Sequence, residues 1–199
     1  MIVLSIDWDF VTGDCSTEAA CCGRCRPINR NFPTHYHSRL PVSPRKKCTG
    51  WGSRLMRING LKVRRGAEIY VAECHATIEY VLRRYESSVI YDYDSHWDAD
   101  PGISGTNCGS WVTTARRRGH LVTGGRHPKS CYMAGETPTP KDPKEPADLV
   151  FFCQSSPWTP RTADGEFASL VKAFARKAKS GIHCVGHAKK RLERLLLGT

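Results

Sequence analysis

Apolar residues along the chain fall into short strand-like runs separated by segments with helical spacing. Runs that end in polar or charged residues predict strands at 2–7, 67–73, 88–93, 120–123 and 149–153. Apolar positions spaced i, i+3, i+4 and i+7 predict a helix at 75–86 and another that begins at Thr162 or Asp164 and ends near 178; further helices are predicted at 109–118 and 187–197. Strand, helix and strand in succession form a βαβ unit, which implies parallel strands. We therefore predict an α/β fold, a three-layer sandwich with a mainly parallel sheet.

Two segments interrupt this pattern. Residues 12–66 are rich in Cys, Pro, Gly and Arg and have little periodicity, which predicts a loop-rich insertion after the first strand. Residues 136–146 contain four prolines and predict an exposed connector, because proline fits neither a helix interior nor a central strand. The length of 199 residues fits one α/β domain over 1–199 that carries the insertion.

The charge balance favours contact with polyanions. Lys and Arg number 30 against 19 acidic residues, a formal net charge of +11. The basic residues are spread over several clusters without an aromatic-rich nucleic-acid motif, so an ordinary basic surface is the alternative to a nucleic-acid partner. No apolar run approaches the roughly 20 residues of a membrane span, and the start of the chain has no basic leader. We expect a cytoplasmic protein without a membrane partner.

The ten cysteines divide into two groups. Half are scattered through predicted regular elements, where reduced, buried thiols are expected: Cys74, Cys108, Cys131, Cys153 and Cys184. The others lie near the start of the chain, and Cys22-Gly-Arg-Cys25 has the spacing of a zinc half-site. Cys15, Cys48, His35 and His37 would supply the remaining ligands of such a zinc site. A cysteine-rich loop that binds no metal is the alternative.

Acidic clusters follow two predicted strands at the point where each strand ends. The first is Ser5-Ile-Asp7-Trp-Asp9, and the second runs from Asp92 to Asp100. Ligands of parallel sheets bind outside the carboxyl ends of the strands. Crowded carboxylates repel one another unless a cation balances them, and Asp with His suits Mn²⁺, Mg²⁺, Fe²⁺ or Zn²⁺. The alternative is that these acids are ordinary loop residues and helix caps. The sequence predicts a metal site.

The spacing of Asp94-Ser-His96-Trp-Asp98 resembles the arginase/deacetylase superfamily, in which D-x-H-x-D and S-x-D-x-D supply most ligands of a two-manganese centre. Ser5-Ile-Asp7-Trp-Asp9 matches the second motif, and Glu73-Cys-His75 offers the additional histidine. The stretch 71–98 is also similar to an uncharacterised arginase-like group. The order of the two motifs is reversed here, which requires a permuted sheet.

The resemblance implies a ligand set for two metals. His75, Asp94, Asp98 and Asp7 would hold one ion, and His96, Asp94, Asp7 and Asp9 the other, so that Asp7 and Asp94 bridge them. Mn²⁺ is the expected ion, with Zn²⁺ and Fe²⁺ as alternatives; a deacetylase-like variant would hold one zinc on Asp94, His96 and Asp7. The implied activity is hydrolysis of a C–N bond, guanidino or amide, in a small molecule by metal-activated water. For proton transfer, His120 and His127 are candidates only by residue type.

Two other functions fit part of the sequence. Residues 3–11 also resemble the first motif of haloacid-dehalogenase-like phosphatases, in which Asp7 would be the nucleophile and Asp9 the acid/base. Asp94 and Asp98 would then hold Mg²⁺, and Lys62 is the candidate lysine. The non-enzymatic alternative is a metal-stabilised, nucleic-acid-associated binding module, which the net charge and the cysteine cluster favour.

Overall fold

A six-stranded, all-parallel sheet forms the centre of the protein. The computed structural model describes residues 1–12, 27–29, 32–35, 51–94, 96, 98–99, 108–124, 141–156, 159 and 161–198. The strands of the sheet are β1 (Ile2–Asp7), β4 (Val63–Ala72), β5 (Val89–Tyr93), β6 (Leu121–Gly124), β7 (Ala147–Cys153) and β8 (Ile182–Cys184). Their order is β6-β5-β1-β7-β4-β8, and β2 (Pro27–Asn29) pairs separately with β3 (Phe32–His35) as an antiparallel ladder.

Helices cover both faces of the sheet. They are α1 (Trp8–Thr12), α2 (Trp51–Gly60), α3 (Ile78–Leu82), α4 (Trp111–Arg117), α5 (Asp164–Ala178) and α6 (Lys189–Leu197). Alternate residues of the strands point to opposite faces, so the sheet contributes to two hydrophobic cores. One core joins the sheet to α1, α2, α5 and α6, and the other joins it to α3 and α4. This is the predicted α/β architecture of three layers.

The strand predictions agree well with the structure because the central strands are buried on both faces. Predicted strands 2–7, 88–93, 120–123 and 149–153 correspond to β1, β5, β6 and β7 within about two residues at either end. Helix α4 corresponds to the predicted helix 109–118, and α6 to 187–197. Cys74, Cys153 and Cys184 are buried thiols, as predicted, while Cys108 is half-buried. Cys131 lies outside the described residues.

The predicted loop-rich segment contains regular structure at its end. Helix α2 buries Arg54 and Ile58, and Leu61, directly after the helix, continues the same side, so the buried positions are spaced i, i+4 and i+7. Because one of these buried positions is an arginine, the spacing of apolar residues alone did not predict the helix. Strand β4 also starts earlier than predicted, and Gly66 (φ +84°) lies where its register with β7 shifts. The insertion and the single-domain boundary stay predictions.

The helix predicted at 75–86 is shorter in the structure. His75–Thr77 form a 3₁₀ turn, and α3 ends at Leu82. The amides of Arg84 and Tyr85 donate to carbonyls three residues back, at 3.3 and 3.0 Å, so the chain tightens out of the α-helix. The phenol of Tyr85 meanwhile donates to Glu68 of β4 at 3.1 Å.

Three further elements differ from the predictions. Helix α1 and strand β8 were not predicted, because five and three residues are too few to show a period. Neither Thr162 nor Asp164 caps α5: the N-cap is Ala163, and the Asp164 carboxylate accepts a hydrogen bond from Gln154 at 2.8 Å. Residues 141–146 of the predicted connector contain neither helix nor strand.

Among the described residues, no helix has the length and apolar character needed to cross a membrane.

Candidate metal centre

Four neighbouring strands deliver polar residues to one edge of the sheet, where the carboxyl ends of the strands lie. We call this the carboxyl edge. Asp7 ends β1 and Asp9 follows it, His75 follows β4, Asp94 and His96 follow β5, and Ser155 follows β7. Because β5, β1, β7 and β4 are consecutive in the sheet, these residues meet on a short arc. The two acidic clusters thus lie at the same edge of the sheet.

The register between β1 and β5 aligns their polar residues in rows. Ser5 pairs with Asp92 and Ile6 with Tyr93, so Asp7 lies next to Asp94 one step further on. Val3 and Ile90, two residues before Ser5 and Asp92 in the same alternation, belong to the core beneath α3 and α4. Two rows of polar side chains therefore cross an otherwise apolar sheet face. The ring of His75 covers both rows.

His75 contacts each row with a different nitrogen. Its Nδ1 lies 2.8 Å from Asp94 Oδ2, 3.3 Å from Asp7 Oδ2 and 3.5 Å from Asp98 Oδ2. Its Nε2 lies 2.6 Å from Ser5 Oγ and 3.6 Å from Asp92 Oδ1. Nδ1 is therefore the nitrogen available as a ligand, and the inner row fixes the orientation of the ring.

Two aromatic side chains pack against the His75 ring. The ring centroid lies 4.6 Å from that of Trp111, and the ring is parallel to Phe151 at 6.0 Å. The indole Nε1–H of Trp111 also donates to Asp98 Oδ2 at 2.9 Å. Packing and hydrogen bonding thus place one histidine rigidly against the aspartates.

A second group of ligands lies beside the first. His96 Nδ1 is 2.9 Å from Asp9 Oδ2 and 3.5 Å from Asp94 Oδ1, and the His96 amide donates to Asp94 Oδ1 at 2.7 Å. Asp7, His75 and Asp94 offer one set of ligand atoms within 4.8 Å of one another, and Asp9, Asp94 and His96 offer another. Asp94 belongs to both sets and turns one carboxylate oxygen to each.

The structure brings together all six predicted ligands, but their grouping differs from the resemblance. Asp94 is shared as expected, whereas Asp7 belongs only to the His75 group. Its Oδ1 accepts from the Asp9 amide at 3.1 Å and its Oδ2 from Ser155 Oγ at 2.6 Å. Asp98 contacts His75 but joins neither compact set. Its oxygen is instead held by Trp111.

The burial of these acids shifts their pKa values strongly. Burial and the neighbouring carboxylates raise the pKa of Asp9 and Asp92 well above the usual range, and that of Asp98 to about 7. Burial alone would raise the pKa of Asp94 too, but hydrogen bonds from His75 and His96 outweigh it and lower that pKa. The cluster therefore carries more negative charge than it can stabilise by itself.

The proton on His75 supplies part of the missing positive charge. Burial of the ring favours its neutral form, but hydrogen bonds to Asp7, Asp94 and Asp98 outweigh burial and raise the pKa of His75 well above the usual range. Buried carboxylate oxygens and imidazole nitrogens form the donor set of Mn²⁺, Fe²⁺ and Zn²⁺ sites. A divalent cation would provide the same charge balance, so the residues present fit a metal.

Strained backbone surrounds the cluster. Among the described non-glycine residues, positive φ angles occur at Asp98 (46°), Ser155 (47°) and Lys179 (53°), and the first two contact the cluster. Such conformations cost on the order of 1–3 kcal/mol and persist where the surroundings fix them. At Ser155 the conformation accompanies the short hydrogen bond to Asp7.

A second polar network lies next to the cluster, at the ends of β4 and β7. The guanidinium of Arg191, from α6, contacts the carboxylate of Glu73, the amide oxygen of Gln154 and Ser156 Oγ. The Ser156 amide donates to Glu73 Oε1 at 3.1 Å, and the Ser155 amide to the Glu73 carbonyl at 3.2 Å. Helix α6 thereby fixes the loop that carries Ser155.

Other predicted site residues lie elsewhere. His120 precedes β6 and its Nδ1 lies 2.8 Å from Ser88 Oγ, which precedes β5; both are therefore at the opposite edge of the sheet, where the strands begin. The structure does not bring His120 to the cluster. Lys62, the lysine of the phosphatase alternative, is exposed and precedes β4 at that same far edge. His127, His37 and the predicted zinc ligands Cys15, Cys22, Cys25 and Cys48 lie outside the described residues, and His35 lies in β3, of which only the backbone is described.

Sequence reasoning named none of Ser5, Asp92, Ser155 and Trp111 as a ligand. It placed Ser5 and Asp92 in the two acidic clusters, and it gave the segments around Ser155 and Trp111 only as candidate lining of the pocket. A signal for two of them was present, since Ser5 and Asp92 are polar residues inside strands that are otherwise buried. The contacts of Ser155 and Trp111 join elements far apart in the sequence.

Comparison of the chain with protein-family models, curated proteins and solved structures found no match.

Proposed function

We propose that this protein is a metal-dependent hydrolase in which two divalent cations share Asp94. The observation that carries the proposal is the position of the Asp94 carboxylate: Oδ2 faces His75 at 2.8 Å and Oδ1 faces His96 at 3.5 Å. A carboxylate placed between two sets of ligands is the arrangement that a two-metal site requires. The Asp94 side chain is fully buried, so both of its oxygens face protein groups and not solvent.

Each proposed metal has a set of three residues to hold it. Asp7, His75 and Asp94 would hold the first ion, and Asp9, Asp94 and His96 the second. Bound there, divalent cations would lower the pKa of water and polarise the carbon under attack. Mn²⁺ is the ion we expect from the resemblance to arginases, and Zn²⁺ or Fe²⁺ would accept the same donors.

The chain's own residues keep this set rigid and dry. Ser155 donates to Asp7 at 2.6 Å, and Ser5 and Asp92 orient the His75 ring through Nε2. Such outer contacts fix the direction of a ligand's lone pair and exclude other rotamers. Burial lowers the local dielectric, which strengthens every interaction between a charged ligand and a cation.

The substrate class follows from the resemblance alone. We propose a C–N bond, guanidino or amide, in a small molecule. Metal-stripped protein would be assayed with Mn²⁺, Zn²⁺ and Mg²⁺ against amide and guanidino compounds and against phosphate esters. C–N hydrolysis that requires added metal and both His75 and His96 supports the proposal.

The variants His96→Ala and Asp7→Asn separate this proposal from the phosphatase alternative. A phosphatase would need Asp7 as the nucleophile and would have no role for His96. Its turnover would therefore survive His96→Ala and disappear in Asp7→Asn. The structure places Lys62 away from Asp7, which removes the lysine that this alternative had. Phosphate-ester turnover in His96→Ala would refute the two-metal hydrolase.

A further inference from the structure

Charge is segregated between the two edges of the sheet. The carboxyl edge carries the buried acids of the metal centre. Exposed basic residues occupy the opposite edge, at or just before the start of five of the six strands. We call them the basic edge: Arg116, Arg117 and Arg118 before β6, Arg83 and Arg84 before β5, Lys144 before β7, Lys62, Arg64 and Arg65 at the start of β4, and Lys177 and Lys179 before β8.

Helix geometry explains only part of this concentration. Helices α4 and α5 end at this edge, and cations in a last helical turn, such as Arg116, Arg117 and Lys177, interact favourably with the helix dipole. Arg64 and Arg65, in contrast, lie in the first residues of β4, outside the last turn of any helix. The edge is thus basic beyond what helix stability requires.

Acidic neighbours offset the charge only in part. Among the described residues, ion pairs at this edge include Arg64 with Asp148 at 2.8 Å, Arg84 with Glu68 at 2.8 Å and Arg118 with Glu79 at 3.6 Å.

Glu86 and Glu145 are exposed there as well, but among the described residues cations still outnumber acids. Because all members of the basic edge are exposed, a polyanion could contact them without any change in the fold.

We propose that the basic edge binds the phosphate backbone of a duplex nucleic acid. Six strands about 4.8 Å apart make the edge about 24 Å long, which corresponds to about seven base pairs at 3.4 Å each. Arginine predominates over lysine along it, and the planar guanidinium suits phosphate oxygens. This interaction surface is separate from the metal centre and does not depend on the proposed hydrolase activity.

The exposed apolar residues argue for a duplex rather than a membrane or a single strand. In the described part of this edge, the large exposed apolar side chains are Met1 and Leu121, which are separate residues and not the apolar face of a helix. Membrane-surface helices insert such a face. Single-strand binding proteins present several aromatic rings for the stacking of successive bases. Among the described residues, Tyr80 of α3 is the one exposed tyrosine, and no tryptophan or phenylalanine is exposed.

The test measures the salt dependence of binding and its location on the surface. Fluorescence anisotropy would follow a labelled DNA duplex and an RNA duplex of about 20 base pairs between about 50 and 200 mM salt. The edge variant is Arg65→Glu with Arg116→Glu and Arg117→Glu. The matched control is Lys172→Glu with Lys190→Glu and Arg194→Glu, which makes the same charge change at exposed positions of α5 and α6 that do not belong to the basic edge.

We expect the wild-type protein to bind at least one of the duplexes with strong salt dependence. The edge variant should bind at least about tenfold more weakly, with a log–log salt slope smaller by about 2 to 3, whereas the control should change less than about threefold. Asp94→Asn should bind like the wild type. Three results would overturn the proposal: no salt-dependent binding by the wild type, equal losses in the edge and control variants, or preferential binding to phosphatidylserine vesicles through the same residues.

Discussion

Replacement of Asp94 by Asn should abolish most of the stabilisation that a divalent metal gives to this protein. Asp94 is the residue common to both ligand sets, with one oxygen toward His75 and the other toward His96. Asparagine keeps the shape but offers one neutral oxygen in place of two charged ones. Both proposed ions would therefore lose a ligand at once.

The size of the effect follows from mass action. A metal at about 1,000 times its Kd stabilises the folded state by about 4 kcal/mol. In a chain of 150–250 residues each kcal/mol raises Tm by about 2–4 °C, so the wild type should gain about 8–16 °C. If the variant weakens Kd about 1,000-fold, about 0.4 kcal/mol remains, which corresponds to a gain of about 1–2 °C.

The variant also changes the metal-free protein, which the assay must separate. Although burial opposes it, hydrogen bonding to His75 and His96 lowers the pKa of Asp94 below its unfolded value. The ionised carboxylate therefore contributes stability above the unfolded pKa, near 4, and loses it as pH falls through the folded pKa. At pH 7 this contribution is complete, so Asp94→Asn should lower Tm without metal.

The measured quantity is thus the difference in Tm with and without metal for each protein. Metal-stripped wild type, Asp94→Asn and the control Glu86→Gln, an exposed carboxylate at the far edge, would be melted with EDTA or with Mn²⁺. Elemental analysis of the dialysed proteins would give bound metal per chain. A variant with wild-type metal content and a wild-type Tm gain would refute the assignment of Asp94 as a shared ligand.

Three further variants examine the surroundings of the cluster. Ser155→Ala removes the hydrogen bond to the β1 carboxylate and should weaken metal binding about 10- to 100-fold in calorimetric titration, while Ser169→Ala, on the exposed side of α5, should not. His120→Ala should leave metal affinity unchanged, and a loss above tenfold would contradict its position at the far edge. Arg191→Met should lower the free energy of unfolding in urea by about 1–3 kcal/mol because a buried carboxylate loses its charged partner, whereas Arg194→Met on the exposed side of α6 should cost less than about 0.5 kcal/mol.

The parts of the fold that could be predicted are those that the sheet buries on both faces. In β1 and β7 almost every residue is buried, so the strands appear in the sequence as continuous apolar runs with defined ends. The elements that were missed have the opposite property. Helix α2 buries an arginine on its inner side, and β8 has three residues, so their stability comes from contacts that no local pattern records.

The candidate ligands of the proposed metal centre could be predicted, but the contacts of the residues that support them could not, and the reason is geometric. Asp94, His96 and Asp98 lie within five residues, and Asp7 and Asp9 within three, so their spacing is visible in the sequence. Ser155 reaches Asp7 across a separation of 148 residues, a contact that only the strand order creates.

The sharing of ligands between the two proposed ions could not be derived from spacing either. The resemblance implied that both Asp7 and Asp94 bridge, but the side chains are not equivalent. Asp7 lies at the end of β1, where the Asp9 amide takes one oxygen and Ser155 and His75 approach the other. Asp94 follows the end of β5 and faces a histidine with each oxygen. The position of Asp7 at the strand end thus limits it to one ligand set. Asp94, just beyond the end of its strand, is the residue that both sets share.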